Sequence, residues 1–149
     1  MELKDEITIN APMTQVYAAL NNPEVLRQCI PGSEELIKHS ETELEAKVVL
    51  KIGPVKARFG GNVELDTSGA PDAFSLTGQG SGGAAGYAKG GADVTLVEVD
   101  GVTTLSYTAK VDIGGKLAQL GSRLIQSTAK KLAGKFFKTF AEVVDAVDA

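Results

Sequence analysis

Apolar and polar residues alternate with a period of two through the middle of the chain. In two flanking stretches they recur with a period near 3.6. Glu2–Ile9 carries Leu3, Ile7 and Ile9 in rough alternation and reads as a first strand. Asn10-Ala11-Pro12 then opens a short helix, with Pro12 near the first turn, where its missing N–H costs little. Met13, Val16, Tyr17 and Leu20 form the inner face of that helix. Asn21-Asn22-Pro23 stops it, Pro23–Gln28 makes a second short helix, and Cys29-Ile30-Pro31-Gly32 ends in a Pro-Gly turn. From there to Ile113 the pattern is all strand. Glu34–His39 is short. Glu43–Ile52 turns Leu44, Ala46, Val48, Leu50 and Ile52 inward. After a Gly53-Pro54 turn, Val55–Asp66 does the same with Val55, Ala57, Phe59, Gly61, Val63 and Leu65. Thr67–Asp72 is a loop. Phe74 and Leu76 begin the next strand, and Ala92, Val94 and Leu96 belong to the one after it. Asp100-Gly101 is a hairpin turn, and Leu105, Tyr107, Ala109, Val111 and Ile113 alternate along the last strand.

The last quarter of the chain supplies what such a sheet would hold. Ile125, Ala129, Leu132, Phe136, Phe140, Val143 and Val147 fall within roughly 80° of one another on a helix. Lys116, Arg123, Lys130, Lys131, Lys135 and Lys138 cover an arc of roughly 140° nearly opposite, with no acid between Lys116 and Lys138. The spacing predicts one amphipathic helix from Lys116 to Val144, roughly 45 Å long at about 30 residues. The expected architecture is α+β: seven antiparallel strands curled around that helix, two small helices after the first strand, and one domain over residues 1–149, frayed from about 145.

Gly78-Gln79-Gly80-Ser81-Gly82-Gly83 satisfies G-x-G-x-x-G, the dinucleotide fingerprint. That motif needs a helix behind it and a βαβ unit around it. Ala84–Lys89 followed by Gly90-Gly91 is a poor helix, so the match reads as chance within a hairpin. Carried on from Phe74 and Leu76, the alternation turns Gly78, Gly80 and Gly82 inward; traced back from Val94 and Ala92, it adds Gly90, Ala88 and Gly86. With Gly61 and Ala57 on the neighbouring strand, the middle of the inner face has almost no side chains. Glycines let long strands bend sharply, and they also leave a cavity for a ligand. Both accounts stand on the sequence alone.

Composition narrows the chemistry. The net charge is −4, with six basic and three acidic residues over 114–149 and nine basic against sixteen acidic before that. An acidic body argues against nucleic-acid binding, which wants a dominant positive footprint. The single cysteine, Cys29, excludes an internal disulfide and a cysteine metal cluster and fits a reducing compartment. Met1–Glu6 has no apolar signal core and no window approaches 18 apolar residues, so the expected location is cytoplasmic with no membrane span. His39, the sole histidine, lies beside a polar turn with no readable triad partner. Glu34, Glu35, Asp145 and Asp148 read as surface acids, and Cys29 as a small buried residue. No metal or covalent cofactor and no catalytic residue is expected. The basic helix face is either solvated or functional, since Leu117, Leu120 and Leu124 flank it beside Lys116 and Arg123. That pairing suits an anionic membrane surface, an acidic partner or the lip of a cavity.

Three stretches together resemble the family of the carbon monoxide dehydrogenase G-subunit, within the START-like, helix-grip superfamily. They are Ala11-Pro12 through Val16-Tyr17, Leu20, Asn22-Pro23-Glu24 and Leu26; Cys29-Ile30-Pro31-Gly32; and Gly114 through Leu124 with Phe136-Phe137 downstream. Tyr17 stands where the superfamily often has Trp. The resemblance implies a molybdenum hydroxylase partner of the carbon monoxide dehydrogenase type, a role between that enzyme and the respiratory membrane, and a deep apolar cavity between sheet and helix. Joined to the glycine-lined inner face, it implies a bound quinone or similar lipid. The strands would line its cavity with Val48, Leu50, Ala57, Phe59, Gly61, Phe74, Leu76, Gly78, Gly80, Gly90, Ala92, Leu105 and Tyr107. Leu132 and Phe136 would face it from the helix. Lys116, Leu117, Leu120, Arg123 and Leu124 would form a lip toward the membrane or partner, in peripheral contact with the inner face of the membrane. A ligand-free recruitment adaptor is the alternative, and an enzyme on the same scaffold a distant one.

Overall fold

The strands fall where the alternation places them: β1 (Glu2–Ile9), β2 (Ser33–Lys38), β3 (Glu43–Ile52), β4 (Val55–Asp66), β5 (Ala73–Ser81), β6 (Tyr87–Val99) and β7 (Val102–Gly114). In the computed structural model, which describes residues 1–148 and the side chains of residues 1–145, they pair antiparallel in the order β1-β7-β6-β5-β4-β3-β2. The sheet is a meander from β2 to β7, completed at the far edge by β1. Its hairpins keep a strict register, from Ile52 opposite Val55 to Glu43 opposite Glu64 on β3–β4 and from Val99 opposite Val102 to Tyr87 opposite Gly114 on β6–β7. Because directly opposed residues share a face, the inner rows can be read across the sheet without ambiguity.

Three helices close over one face: α1 (Met13–Leu20), α2 (Pro23–Cys29) and α3 (Ser122–Asp148). Pro12 gives α1 no side-chain cap; Glu98 at the end of β6 supplies one, its Oε1 accepting from the Met13 N–H at 2.6 Å. Asn22 caps α2 by accepting from the Glu24 N–H at 3.0 Å. The β1–α1 link is pinned from β7, where the fully buried Thr103 donates its hydroxyl to the Ala11 carbonyl at 2.6 Å. A buried hydroxyl with its bond made stabilises by about 1 kcal/mol, and an orphaned partner costs more.

The closed core lies at one end of the molecule. Ile9, Val16, Cys29, Val94, Leu96, Leu105, Phe140 and Val144 are buried together there. They join β1, the ends of β6 and β7 nearest their hairpin, α1, α2 and the C-terminal half of α3. Tyr17 meets Phe74 edge-on at 5.6 Å and Phe136 stacks on Phe140 at 6.1 Å beside this cluster.

The terminal helix starts later than its sequence pattern implies. Gly115 at φ +77 and Gly121 at φ +93 adopt left-handed backbone, which non-glycine residues avoid. Between them Ala118–Leu120 form a single 3-10 turn. Lys116, Leu117 and Leu120 therefore precede α3 and are not on its face. The helix runs to Asp148. The side chains of residues 146–149, Val147 among them, lie outside the described residues.

Gly32 shows why the Pro-Gly turn is built as it is. It sits at φ +74, and a Cβ there would collide with the Val49 carbonyl, because the Gly32 carbonyl itself accepts from the Val49 N–H at 2.9 Å. Gly32→Ala combines left-handed strain with a backbone collision and is expected to cost about 2 kcal/mol or more. Urea unfolding will measure it; a midpoint unchanged from wild type would remove this account of the turn.

Candidate functional site

Along single strands the closed core gives way to a hollow. On β6 the inner face runs from Leu96 and Val94, both buried, to Ala92, Gly90 and Ala88, which are only half-buried. On β7 it runs from Leu105, 1% exposed, to Tyr107, Ala109 and Val111, again half-buried. The hollow has a volume of about 330 Å³. Its inward lining is Ala46 and Val48 of β3, Phe59, Gly61 and Val63 of β4, Leu76, Gly78 and Gly80 of β5, Ala88, Gly90 and Ala92 of β6, and Ala109 and Val111 of β7. The register stacks small on small: Ala46, Gly61, Gly80 and Ala88 form one row and Val63, Gly78, Gly90 and Val111 another. Its lining comes from these strands alone, so no described side chain of α3 fills it.

The two accounts of the glycines divide by position. A Cβ on Gly61 would lie 2.7 Å from the Gln79 carbonyl oxygen, and one on Gly90 would collide with the Lys110 carbonyl. At those points the neighbouring strand bends across where a side chain would stand. Gly80 is different: its Cβ would meet nothing nearer than 3.5 Å, an ordinary contact. Gly61 and Gly90 make the bend, whereas Gly80 leaves the space. Gly82, past the end of β5, is held glycine by the Phe59 ring lying against it. Gly86 is not inward on a strand; it is a left-handed joint after the 3-10 turn Gly83–Ala85. The G-x-G-x-x-G run ends in that turn, with no helix of the nucleotide-binding kind behind it.

Of the residues expected around a cavity, Val48, Phe59, Gly61, Leu76, Gly78, Gly80, Gly90 and Ala92 stand at the hollow. Leu105 does not: it is sealed in the closed core, with Phe74, Tyr107 and Phe136 packed against that core. Leu50, Ala57 and Leu132 are half-buried and stand outside the lining. The lip needs a larger correction. Leu117 is 4% exposed and its N–H donates to the Ala85 carbonyl at 3.0 Å, so it staples the last link of the chain to the β5–β6 connection. Leu124 packs toward Gly53, and Leu120 is half-buried. Only Lys116 and Arg123 of that set are exposed. Leu117 is buried because the glycine-bounded turn, not a helix, orients it, whereas Leu124 already lies on α3.

Sequence reasoning also misses Ala46, Val63, Ala88, Ala109 and Val111 as liners, although each sits at an inward step of the strand alternation. A larger groove, about 640 Å³, opens on the outer face among His39, Glu43, Asn62, Glu64, Gln79, Lys89 and Asp112. Its walls mix these polar side chains with Leu44, Val63, Gly78 and Gly90, and His39 is engaged to Glu45 at 2.8 Å. Among the described residues no three His, Cys, Asp or Glu side chains gather as metal ligands. No helix of the described residues is long and apolar enough to cross a membrane.

The model of the carbon monoxide dehydrogenase G-subunit family, CoxG, matches residues 6–145. The chain belongs to that family. The CoxG fold is shared by a conserved protein from Geobacillus kaustophilus at 26% identity and TM-score 0.91, covering 98% of this chain and 96% of that one. It is shared more distantly by a STAR-related lipid transfer protein from Xanthomonas axonopodis (18% identity, 97% and 85% covered, TM-score 0.65). An aromatase/cyclase from Streptomyces sp. R1128 is similar too (11% identity, 97% and 93% covered, TM-score 0.72). No curated protein sequence matches significantly. A START-like fold carries both a transfer protein and an enzyme, so for this CoxG relative the fold alone does not decide between binding and catalysis.

Two outcomes test this description. Gly80→Ala should leave stability within about 0.5 kcal/mol of wild type, whereas Gly90→Ala should cost about 2 kcal/mol through the forced strand shift; equal effects would erase the division between space and bend. Burial holds the Cys29 thiol protonated, raising its pKa from 9.0 to about 11. The unfolded chain ionises first, so this contribution is intact below pH 9 and is lost between pH 9 and 11, by up to about 1.4 kcal/mol per unit. Unfolding free energies of wild type and Cys29→Ala should converge over that window, and parallel curves would show that the thiol is not the source.

Proposed function

We propose that the protein is a non-catalytic accessory protein that binds a hydrophobic molecule, a respiratory quinone or similar lipid, in the hollow of its sheet. We further propose that it works between the membrane and a molybdenum hydroxylase of the carbon monoxide dehydrogenase type. The observation that carries the reading is an inner face that is apolar yet left half-exposed beside a fully closed core. Leaving such surface to water forgoes about 25 cal/mol for each Å², and a volume of about 330 Å³ lies within the ordinary range of ligand pockets. Family membership supports the dehydrogenase partner.

The opposite surface supports recruitment. Arg123, Lys131, Lys135 and Lys138 are exposed on α3 and make no ion pair among the described residues, where the four pairs all lie on α2 and β2–β4. This charged face, rather than a leucine lip, is what the protein offers an anionic membrane or an acidic partner. An adaptor needing no ligand would use that face alone.

Native mass spectrometry followed by organic extraction separates the two. A stoichiometric quinone or lipid is expected from wild type. Ala92→Phe, which places a ring in the hollow, should lower its occupancy at least tenfold while the protein stays folded. A clean apo mass together with no uptake of added short-chain quinone would favour the adaptor.

A further inference from the structure

The inner face of β1 breaks its own rule. Leu3, Ile7 and Ile9 belong to the inner face, and so by register does Asp5, an exposed residue directly opposite Tyr107 in the β1–β7 pairing. Around Leu3 and Asp5 opens a cleft of about 410 Å³ between the edge strand and the helix, lined by Glu2, Leu3, Lys4, Asp5, Tyr107, Gln126 and Lys130. Few of its polar groups are satisfied internally. Asp5 Oδ1 accepts only from the Glu6 N–H at 2.8 Å, and Gln126 Nε2 reaches the Glu2 carbonyl at a long 3.4 Å. Among the described residues Tyr107 Oη and Lys130 Nζ make no hydrogen bond or ion pair. The Tyr107 ring is nonetheless held in place, stacked on Phe137 at 5.3 Å.

This cleft and the hollow are separate spaces that lie side by side on the sheet. Leu3 of the cleft pairs with Ala109, which lines the hollow. Tyr107 and Ala109 are successive inward residues of β7, so roughly 7 Å separates the polar cleft from the apolar space. An inward charge on an edge strand also discourages a second chain from pairing there. That accounts for Asp5 alone, not for the donors gathered across from it. Burial and then the nearby Asp5 carboxylate hold the Tyr107 phenol above its usual pKa, so it stays a protonated donor near neutrality.

We infer that the cleft between β1 and α3 receives the oxygen-bearing head of the ligand whose apolar part fills the hollow: an uncharged ring with carbonyl or hydroxyl oxygens, bound by Tyr107 and Lys130 as donors and Asp5 as acceptor. The inference rests on the hollow being a ligand site. Two acids and two lysines line the cleft, a balance that suits a neutral head and disfavours the phosphate of a phospholipid. The donors suit a carbonyl and the carboxylate suits a hydroxyl, so the same pocket accepts a ring in either of those states.

Two probes test it by titration against the purified protein: N-phenyl-1-naphthylamine, apolar and without oxygen, and a naphthoquinone carrying a short prenyl chain. Tyr107→Phe, which keeps the stacked ring, and Lys130→Met should each raise the Kd of the naphthoquinone about fivefold to tenfold and leave that of the naphthylamine within twofold. Ala92→Phe should weaken both. If Ala92→Phe weakens both while Tyr107→Phe and Lys130→Met change neither, the hollow stands and the head-group site is wrong. If Tyr107→Phe weakens both probes alike, the tyrosine only shapes the hollow and the assignment also fails. If wild type binds neither probe, the hollow is not a ligand site and the inference falls with it.

Discussion

The close approach of neighbouring strands at Gly61 and Gly90 is the constraint on which the rest of this structure depends. Backbone of β5 and β7 occupies the places where inward side chains of β4 and β6 would otherwise stand. A sheet that bends this hard can wrap a helix, but the bend empties the inner face of the side chains that would fill the space between them. Curvature and hollow are therefore one feature seen twice. Gly80 and the alanines around it then keep the space open where a larger residue would have fitted.

The cost of that hollow is carried by the other end. Phe140 and Val144 of α3 are buried against Ile9, Val16, Leu96 and Leu105, and each buried side chain of this size contributes about 1.5–3 kcal/mol. Thr103 and Glu98 lock the β1–α1 junction onto the same end. Near the start of α3, the helix is held instead by Ile125, by the staple of Leu117 to Ala85 and by Leu124 at Gly53. An anchored end and a lightly attached one give a helix that can stand off the sheet without the fold coming apart.

Much of this is legible in the residues. Period-two alternation locates all seven strands, and it fixes the inner face well enough to find the glycine-lined middle. What it cannot separate is closed core from open hollow, because Leu105 and Ala109 have the same inward parity on β7 and differ only in what lies above them. That is a tertiary property. The helix start fails for another reason: Leu117, Leu120 and Leu124 fit a helical period, and a periodicity argument tolerates Gly115 and Gly121 as interruptions. Two left-handed glycines six residues apart bound a turn instead, and the turn buries Leu117, which a helical reading exposes. Asp5 is visible as the one charged step in Leu3-Asp5-Ile7-Ile9. Three apolar residues in four are enough to name a strand, so the pattern alone gives no reason to single it out.

The placement of polar groups bears on the choice between binding and catalysis. An enzyme on this scaffold would need an acid, base or nucleophile facing the apolar space with a partner to tune it. Cys29 is inside but sealed in the closed core, with its thiol held neutral by burial. His39 is outside and engaged with Glu45. Tyr107 and Asp5 share the inner face by register, yet the phenol is pushed away from ionisation, a direction that suits hydrogen-bond donation and opposes proton abstraction at neutral pH. Groups that donate and accept hydrogen bonds can hold a molecule in one orientation, which is what the binding role proposed above requires.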